Sequence, residues 1–535
     1  MPALATDMSG ERLAPQCDRV TAFGNASGEA ATPATAASVA GTSGIRCRAD
    51  RGDFLSPRTR DGVYAESMVV LLLILCGADI DAKAGRLRDA AADALTPVAE
   101  AYETSGREEY AARVRTSIDP PDVRALPLRW PAERVLPEPG EVPPADRPVY
   151  EAELAARREL ATRVYRLARE AVREKRVAEA FRLTHWAAAL DPDNESVRRA
   201  LGFERDGKVW TTPFRRQRAA DGDVWDDRFG WLPKSHVARY EAGERFAGGQ
   251  WVTPESERQL RSRFDSGWAV ETEHFRVRTN ASLETAVTLA SELEDFRTFF
   301  VRNYTVLFDS PRRAASILVS PTGRRSKRHD VHVFATREEY VQTLAPKQRG
   351  VEVSRGVYLP EDRVAYFFAS EDAELLETLY HEVSHQLLYE ADRRGTDVGG
   401  RRGYWAVEGF ACYLESFESD GVTATATHPR QNRVQHAAEL VAEGKAPRSL
   451  AEFDALGKRA FLNTPDMDLL VARYAYATGL THFFLNFEGG RYRDGFLTYL
   501  RTLYEPGARV RPLEQVLGVP AGQVDMEYRS YIGEL

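Results

Sequence analysis

The chain holds 535 residues, 43% of them hydrophobic, with 72 Lys and Arg against 80 Asp and Glu for a net charge of −8. That length and apolar content allow roughly two to four domains with a sizeable core. The acidic balance, with no basic stripe interleaved with aromatics, argues against a nucleic-acid partner, and neither a G-x-x-x-x-G-K-[ST] loop nor a dinucleotide fingerprint supports nucleotide chemistry.

Residues 1–67 are rich in Ala, Thr, Ser, Gly and Arg without apolar periodicity, and read as a disordered or non-native extension. The apolar run from Met68 to Ala78 is too short to span a bilayer, so no integral membrane domain is expected. With Ala82-Lys83-Ala84 behind it, 68–84 reads as a signal peptide, which would make the protein periplasmic or extracellular; a buried helix in a cytoplasmic protein is the alternative. No Lys or Arg immediately precedes the run, and Leu75 suits poorly the position before a lipidated Cys76. Cleavage after Ala84 would leave Cys412 alone, without an intrachain disulfide or a structural Cys-type zinc site.

Helical periodicity covers 85–119 and 151–205, separated by a Pro-rich linker over 120–150. In the second stretch Leu167, Ala168, Ala180, Ala187 and Pro192 fall at positions resembling one tetratricopeptide repeat. A single repeat cannot bury its own face, so the segment reads as a helical hairpin that packs on a neighbour and could take a protein partner. Over 206–262 aromatic turns recur: Gly207-Lys208-Val209-Trp210, Phe229-Gly230-Trp231-Leu232 and Gly249-Gln250-Trp251-Val252. They predict small β modules, each with a tryptophan in its core; an aromatic surface for wall polymers or peptides is the alternative.

From 263 to 535 strands come first. His274-Phe275-Arg276-Val277-Arg278-Thr279 alternates as a half-buried strand, a helical stretch runs from Leu283 to Tyr304, and Ala315–Val319 and Val331–Phe334 read as further strands. Gly356–Tyr358 and Val364–Phe368 read as two strands around the turn Pro360-Glu361-Asp362. The one basic cluster, Arg324-Arg325-Ser326-Lys327-Arg328, reads as a solvated loop between strands. Helices follow, which implies an α+β fold with the site between sheet and helices. No spacing ties His329 or His332 to a metal.

The first of those helices carries His381-Glu382-Val383-Ser384-His385. Residues four apart lie one above the other, so His381 and His385 can aim two imidazole nitrogens at one zinc ion. Glu382 beside them can take a proton from the water that zinc activates and hand it to a leaving amine. Ser370 can cap the helix, Glu371, Asp372 and Glu374 suit its positive end, and Arg393-Arg394-Gly395 its stop. Leu376, Leu379, Val383 and Leu387 recur at helical spacing as a core stripe offset from the histidines.

Two histidines leave a tetrahedral zinc short of one protein ligand. After a Gly- and Arg-rich turn, Trp405-Ala406-Val407-Glu408-Gly409-Phe410-Ala411 offers Glu408 at the start of a second amphipathic helix. Here the sequence resembles the gluzincin, or peptidase MA-like, metallopeptidases, whose third zinc ligand is a glutamate in a W-x-x-E-G-F-A-like helix, and within that clan a bacterial family of metallopeptidases. The resemblance covers roughly residues 268 to 535, from Trp268-Ala269-Val270-Glu271 onward. The turn before Glu408 is a little longer than in the aminopeptidase branch. The resemblance implies a zinc peptidase with Zn²⁺ on His381, His385 and Glu408, Glu382 as general base and acid, and a peptide or protein substrate that can pair with an edge strand ahead of the zinc helix. An ordinary core hairpin is the alternative for that strand.

Arg473-Tyr474-Ala475-Tyr476 resembles the later gluzincin helix whose tyrosine donates to the oxyanion; Tyr474 is the better match, Tyr476 the reserve, and packing of both rings the alternative. His482 on the same helix is left out of the ligand set. Four residues after Glu408, where some relatives carry an acid that orients a zinc histidine, this chain has Cys412, which leaves Glu415 as a candidate for that role. Two other functions stay open: a non-catalytic peptide- or wall-binding protein with a structural or vestigial zinc site, and a zinc amidase acting on non-peptide amides.

Overall fold

The computed structural model describes residues 62–535 apart from 123–125, 311–312, 314–327, 371–373, 393–396 and 427–431, and gives the backbone alone for 62–78 and Asp392. Several expectations therefore lie outside the described residues: the extension over 1–61, the strand Ala315–Val319, the basic cluster up to Lys327, the capping acids Glu371 and Asp372, and the helix stop Arg393–Gly395. The chain divides into two compact units. Among the described residues, 62–122 and 134–200 form one, and 126–133 with 201–535 form the other.

The first unit is helical: α1 (Gly62–Thr104), α2 (Glu108–Thr116), α3 (Arg147–Arg173), α4 (Val177–Leu190) and α5 (Glu195–Ala200). The stretch expected to be helical over 85–119 is so, in two helices that part at Ser105-Gly106, where Gly106 takes a φ of 74°. On α3 the residues Tyr150, Leu154, Ala161, Val164, Leu167, Ala168 and Ala171 recur every three or four positions and are all buried. They face α4, where Phe181, Trp186, Ala187 and Leu190 are buried in turn. Glu153 is also fully buried; Tyr102 Oη, Arg113 Nη2 and Arg157 Nε donate to it at 2.9, 2.8 and 2.7 Å, which satisfies a carboxylate that would otherwise be costly inside.

The second unit opens with three ββα repeats. The first is β1 (Glu204–Asp206), β2 (Val209–Thr211) and α6 (Pro213–Ala220); the second is β3 (Asp223–Asp226), β4 (Gly230–Pro233) and α7 (Val237–Glu241); the third is β5 (Arg245–Ala247), β6 (Gln250–Val252) and α8 (Pro254–Leu260). The expected hairpins are present, and each is followed by a helix that the aromatic spacing did not announce. Thr212-Pro213 and Thr253-Pro254 start two of them, each Thr hydroxyl accepting a backbone N–H of the first turn. The tryptophans depart from expectation: Trp210 is buried, but Trp231 and Trp251 are only half-buried. The guanidinium groups of Arg218 and Arg239 cover those rings at 5.2 and 3.9 Å from the ring centres.

Behind the repeats stands a five-stranded sheet built from β7 (Trp268–Glu271), β8 (Phe275–Thr279), β9 (His329–Phe334), β10 (Gly356–Leu359) and β11 (Val364–Phe368), in the order β10-β11-β9-β8-β7. Its centre is parallel, β8 to β9 to β11, and its two edges are antiparallel. Phe275, Val277, Val331, Val333, Ala365 and Phe367 are fully buried, and their register puts them on one face of the sheet, which is the face against the core. Helices α9 (Leu283–Asn303) and α10 (Arg337–Leu344) connect the strands. Then come α11 (Glu374–Asp392), α12 (Tyr404–Leu414), α13 (Asn432–Ala442), α14 (Leu450–Asp454), α15 (Lys458–Leu462), α16 (Met467–Asn486), α17 (Arg493–Leu503), α18 (Leu513–Leu517) and α19 (Ala521–Gly533). The unit is α+β, as expected. α12 is buried along its whole length, between α11 and α16. Among the described residues no helix is long and apolar enough to cross a membrane.

Candidate metal centre

α11 holds the histidines because its core stripe lies on a neighbouring face. Leu379, Val383 and Leu387 are buried and Leu376 half-buried, and the helix packs on β10 and β11. One turn apart, His381 and His385 leave it toward α12, which delivers Glu408. The Nε2 atoms of the two histidines stand 3.3 Å apart, and Glu408 Oε2 lies 3.6 Å from the first and 3.9 Å from the second. Ligand atoms about 2.0–2.1 Å from one tetrahedral zinc are separated by roughly 3.3–3.5 Å. Two imidazoles and a carboxylate fit zinc in donor type; the histidine pair stands at that separation and Glu408 a few tenths of an ångström beyond it.

Charge in the cluster is uneven. Burial alone would raise Glu408, yet its hydrogen bond to His381 and the charges of both histidines hold it at about 2. Burial pushes His385 down to about 4 against the pull of Glu408. Burial works the same way on His381 but is outweighed by Cys412, Glu408 and Glu415, which raise it well above the usual range. Cys412 Sγ is 3.8 Å from His381 Nδ1 and burial keeps it a thiol, so the carboxylates are the effective partners. His381 thus lies between two carboxylates and His385 beside one; a cation at the Nε2 atoms would stand in for the proton they attract.

Glu382 reaches β10, the edge of the sheet, where its Oε2 accepts the Tyr358 backbone N–H at 2.8 Å. Burial raises it, offset by His381 and that N–H and reinforced by Glu408 and Glu415. Behind His381, Glu415 takes the place sequence had left open. Its Oε1 is 2.8 Å from His381 Nδ1 and its Oε2 accepts Arg433 Nε at 3.0 Å. A carboxylate on Nδ1 fixes the tautomer that leaves the Nε2 lone pair facing Glu408 and His385.

Other neighbours were missed. Tyr504 Oη lies 3.3 Å from His385 Nδ1, across 119 positions of sequence, and Arg433 sits on a separate helix; nothing local ties either to the motif. Tyr404, whose hydroxyl bears on Glu408, was within reach of sequence, since the two stand four apart on α12. On α16 Tyr474 and Tyr476 are both buried, with hydroxyls that lack a hydrogen-bond partner among the described residues. His329 pairs with Glu390 at 3.4 Å, His332 packs between Phe264 and Tyr366, and His482 Nδ1 meets Tyr531 Oη at 2.9 Å.

Two further groups of possible ligands are weaker. His381, Cys412 and Glu415 share the Nδ1 side, where Arg433 already neutralises the acid. Asp79, Glu170 and Glu174 lie in the helical unit, with the Lys83 ammonium paired to both Asp79 and Glu170. In comparisons with known proteins the chain matches no family model, no curated protein and no solved structure.

Proposed function

We propose that the chain is a zinc-dependent peptidase of the gluzincin type, with one zinc held by His381, His385 and Glu408. The observation that carries this reading is the convergence of those three donor atoms within 4.8 Å of one another. A closed structural site uses four protein ligands, and among the described residues this cluster has three, which suits a catalytic site with one position open. Zinc bound there would supply a Lewis acid that polarises a carbonyl and lowers the pKa of a water. Glu382, held at one oxygen by the Tyr358 N–H and raised by burial, takes the proton from the water and returns it to the leaving amine. Tyr474 donates to the negative oxygen that develops on the scissile carbonyl. An extended peptide added to the β10 edge would lie along α11. A zinc amidase would use the same residues and differ only in substrate.

Purified without added metal, the chain is expected to carry about one zinc, lost in His381→Ala and in Glu408→Ala. Glu382→Gln should keep zinc and fold while turnover of a peptide library falls by roughly 10²–10⁴-fold. A folded chain that takes up no zinc even on reconstitution overturns the proposal. If Glu382→Gln turns over as fast as the parent, Glu382 has no part in the chemistry; if neither cuts any peptide, the amidase and binding-protein readings are left.

A further inference from the structure

The centre has a way in and a cation beside it. Of the three ligand side chains His385 is the most exposed, 17% against 2% for His381 and 7% for Glu408, so solvent reaches the cluster from its side. Lys458 stands beside the helix that carries Glu408: its Nζ lies 5.6 Å from the centre of the Tyr404 ring, one helical turn before Glu408. Its backbone is fixed to the loop that leads into α12. Lys458 N donates to Gly399 O at 2.9 Å, Gly403 N to Asp454 O at 2.9 Å and Tyr404 N to Leu456 O at 3.4 Å. A Cβ on Gly457 would stand 2.2 Å from Gly400 O, so the two segments touch backbone to backbone there.

The ammonium has no carboxylate of its own among the described residues. Asp454, on the same segment, is occupied by Arg402 Nη1, Trp405 Nε1, Tyr499 Oη and the Leu513 N–H. Arg433, the cation behind His381, is committed to Glu415. A half-buried lysine left on an aromatic face at the mouth of a site lined by acids can exchange that weak contact for a charge-assisted hydrogen bond when an anion arrives.

We propose that Lys458 is the carboxylate-recognising residue of this site: the substrate carries a carboxylate, either the C-terminal one or that of an Asp or Glu side chain, which the ammonium holds beside His385. The proposal deepens the peptidase reading and rests on it. Lysine suits the task as a compact charge with three rotatable donors.

The test uses N-acetylated peptides of one length, each made as free acid and as C-terminal amide, with Asp or Asn at each position in turn. Cleavage by the zinc-loaded chain is followed by mass spectrometry, and binding to the zinc-loaded Glu382→Gln chain by calorimetry. Within each pair the carboxylate-bearing member should be favoured about tenfold in kcat/KM and in affinity, with the carboxylate at a fixed distance from the cut. The acid/amide pairs report a C-terminal carboxylate and the Asp/Asn pairs a side chain. The preference should fall toward one in Lys458→Met and return in Lys458→Arg. Absence of a preference in the parent, or its survival in Lys458→Met, overturns the Lys458 proposal, while cleavage itself would leave the peptidase reading standing. If the zinc-loaded chain cuts none of these N-blocked peptides, calorimetry alone decides on Lys458, and the peptide library decides on the peptidase reading. Should Lys458→Met fail to fold, the parent's own preference decides.

Discussion

Tyr474 and Tyr476 lie two apart on one helix and so point roughly 200° away from each other. Burial raises both phenols, but after burial the charges of Glu408 and Cys412 weigh most on Tyr474, whereas Asp525 weighs most on Tyr476. The Tyr476 ring meets Phe453 and Tyr528 edge-on, at 5.0 and 5.3 Å, on the side of α19. Of the two, Tyr474 is the hydroxyl that feels the candidate ligand Glu408, and in the resting protein it has nothing to donate to among the described residues. A donor that finds its acceptor only as charge develops contributes to the transition state and not to the fold. Tyr474→Phe is expected to lower kcat on the order of 10²-fold with little change in KM. Its Tm should not fall, since removing an unpaired buried hydroxyl relieves a desolvation cost. Tyr476→Phe should leave turnover close to the parent's. Steady-state kinetics and melting curves of both variants check this, and the reverse pattern would move the role to Tyr476.

The two helices that carry Glu408 and Tyr474 approach so closely that only glycine fits between them. A Cβ on Gly409 would stand 2.4 Å from Ala477 O and 2.7 Å from Ala477 C, so α12 or α16 would have to move. Gly409→Ala is expected to cost on the order of 1–3 kcal/mol and to weaken zinc retention, because the displaced residue adjoins Glu408; an unchanged Tm with full zinc would show that the approach does not constrain the site. The far end of α16 carries His482, 4% exposed against Tyr531 and pushed down to about 4 by burial. Its folded value lies below the unfolded one near 6.5, so the unfolded chain binds the extra proton. The stability this withholds is fully present above about pH 6.5 and lost as pH falls toward 4, up to about 3 kcal/mol. Urea midpoints of metal-free protein at pH 7 and pH 4.5 should draw together in His482→Gln, and parallel shifts in parent and variant would remove His482 as a cause. At this scale much was legible: α11 and α12 follow from apolar residues at helical spacing, the His381–His385 pair from the four-residue step between them with Glu382 alongside, and Glu408 from the likeness of its helix to a W-x-x-E-G-F-A pattern. Tyr504 and Arg433 were not, since their approach depends on how α17 and α13 pack, which no local period encodes.

At the scale of the whole molecule, sequence order and spatial order part company. The Pro-rich stretch over 120–150 reads as a linker because Pro and polar residues carry no periodic signal. In the structure it is divided: Leu136 and Val142 pack with Tyr150 and Leu154 in the helical unit, while 126–133 belongs to the unit of the metal centre. There it forms a strap. Leu128 N donates to Val422 O at 2.8 Å, Trp210 N to Ala132 O at 2.6 Å, and Arg129 pairs with Asp295 at 3.0 Å. Arg302, buried and lowered to about 10 by that burial, spends its guanidinium on the carbonyls of Leu126, Pro127 and Leu128. A fragment cut to 201–535 would keep the three repeats, the sheet and every ligand of the metal centre, yet leave Arg302 charged and without those acceptors. Hydrogen bonds from a charged group contribute about 1.5–3 kcal/mol each, so without the strap the fragment should melt well below the full chain. Fusing 126–133 through a flexible Gly/Ser linker to residue 201 should recover most of the difference without the helical unit. Calorimetric Tm values of the two fragments decide the point: if 201–535 alone melts as high as the strapped fragment, the strap contributes nothing and Arg302 finds its acceptors elsewhere.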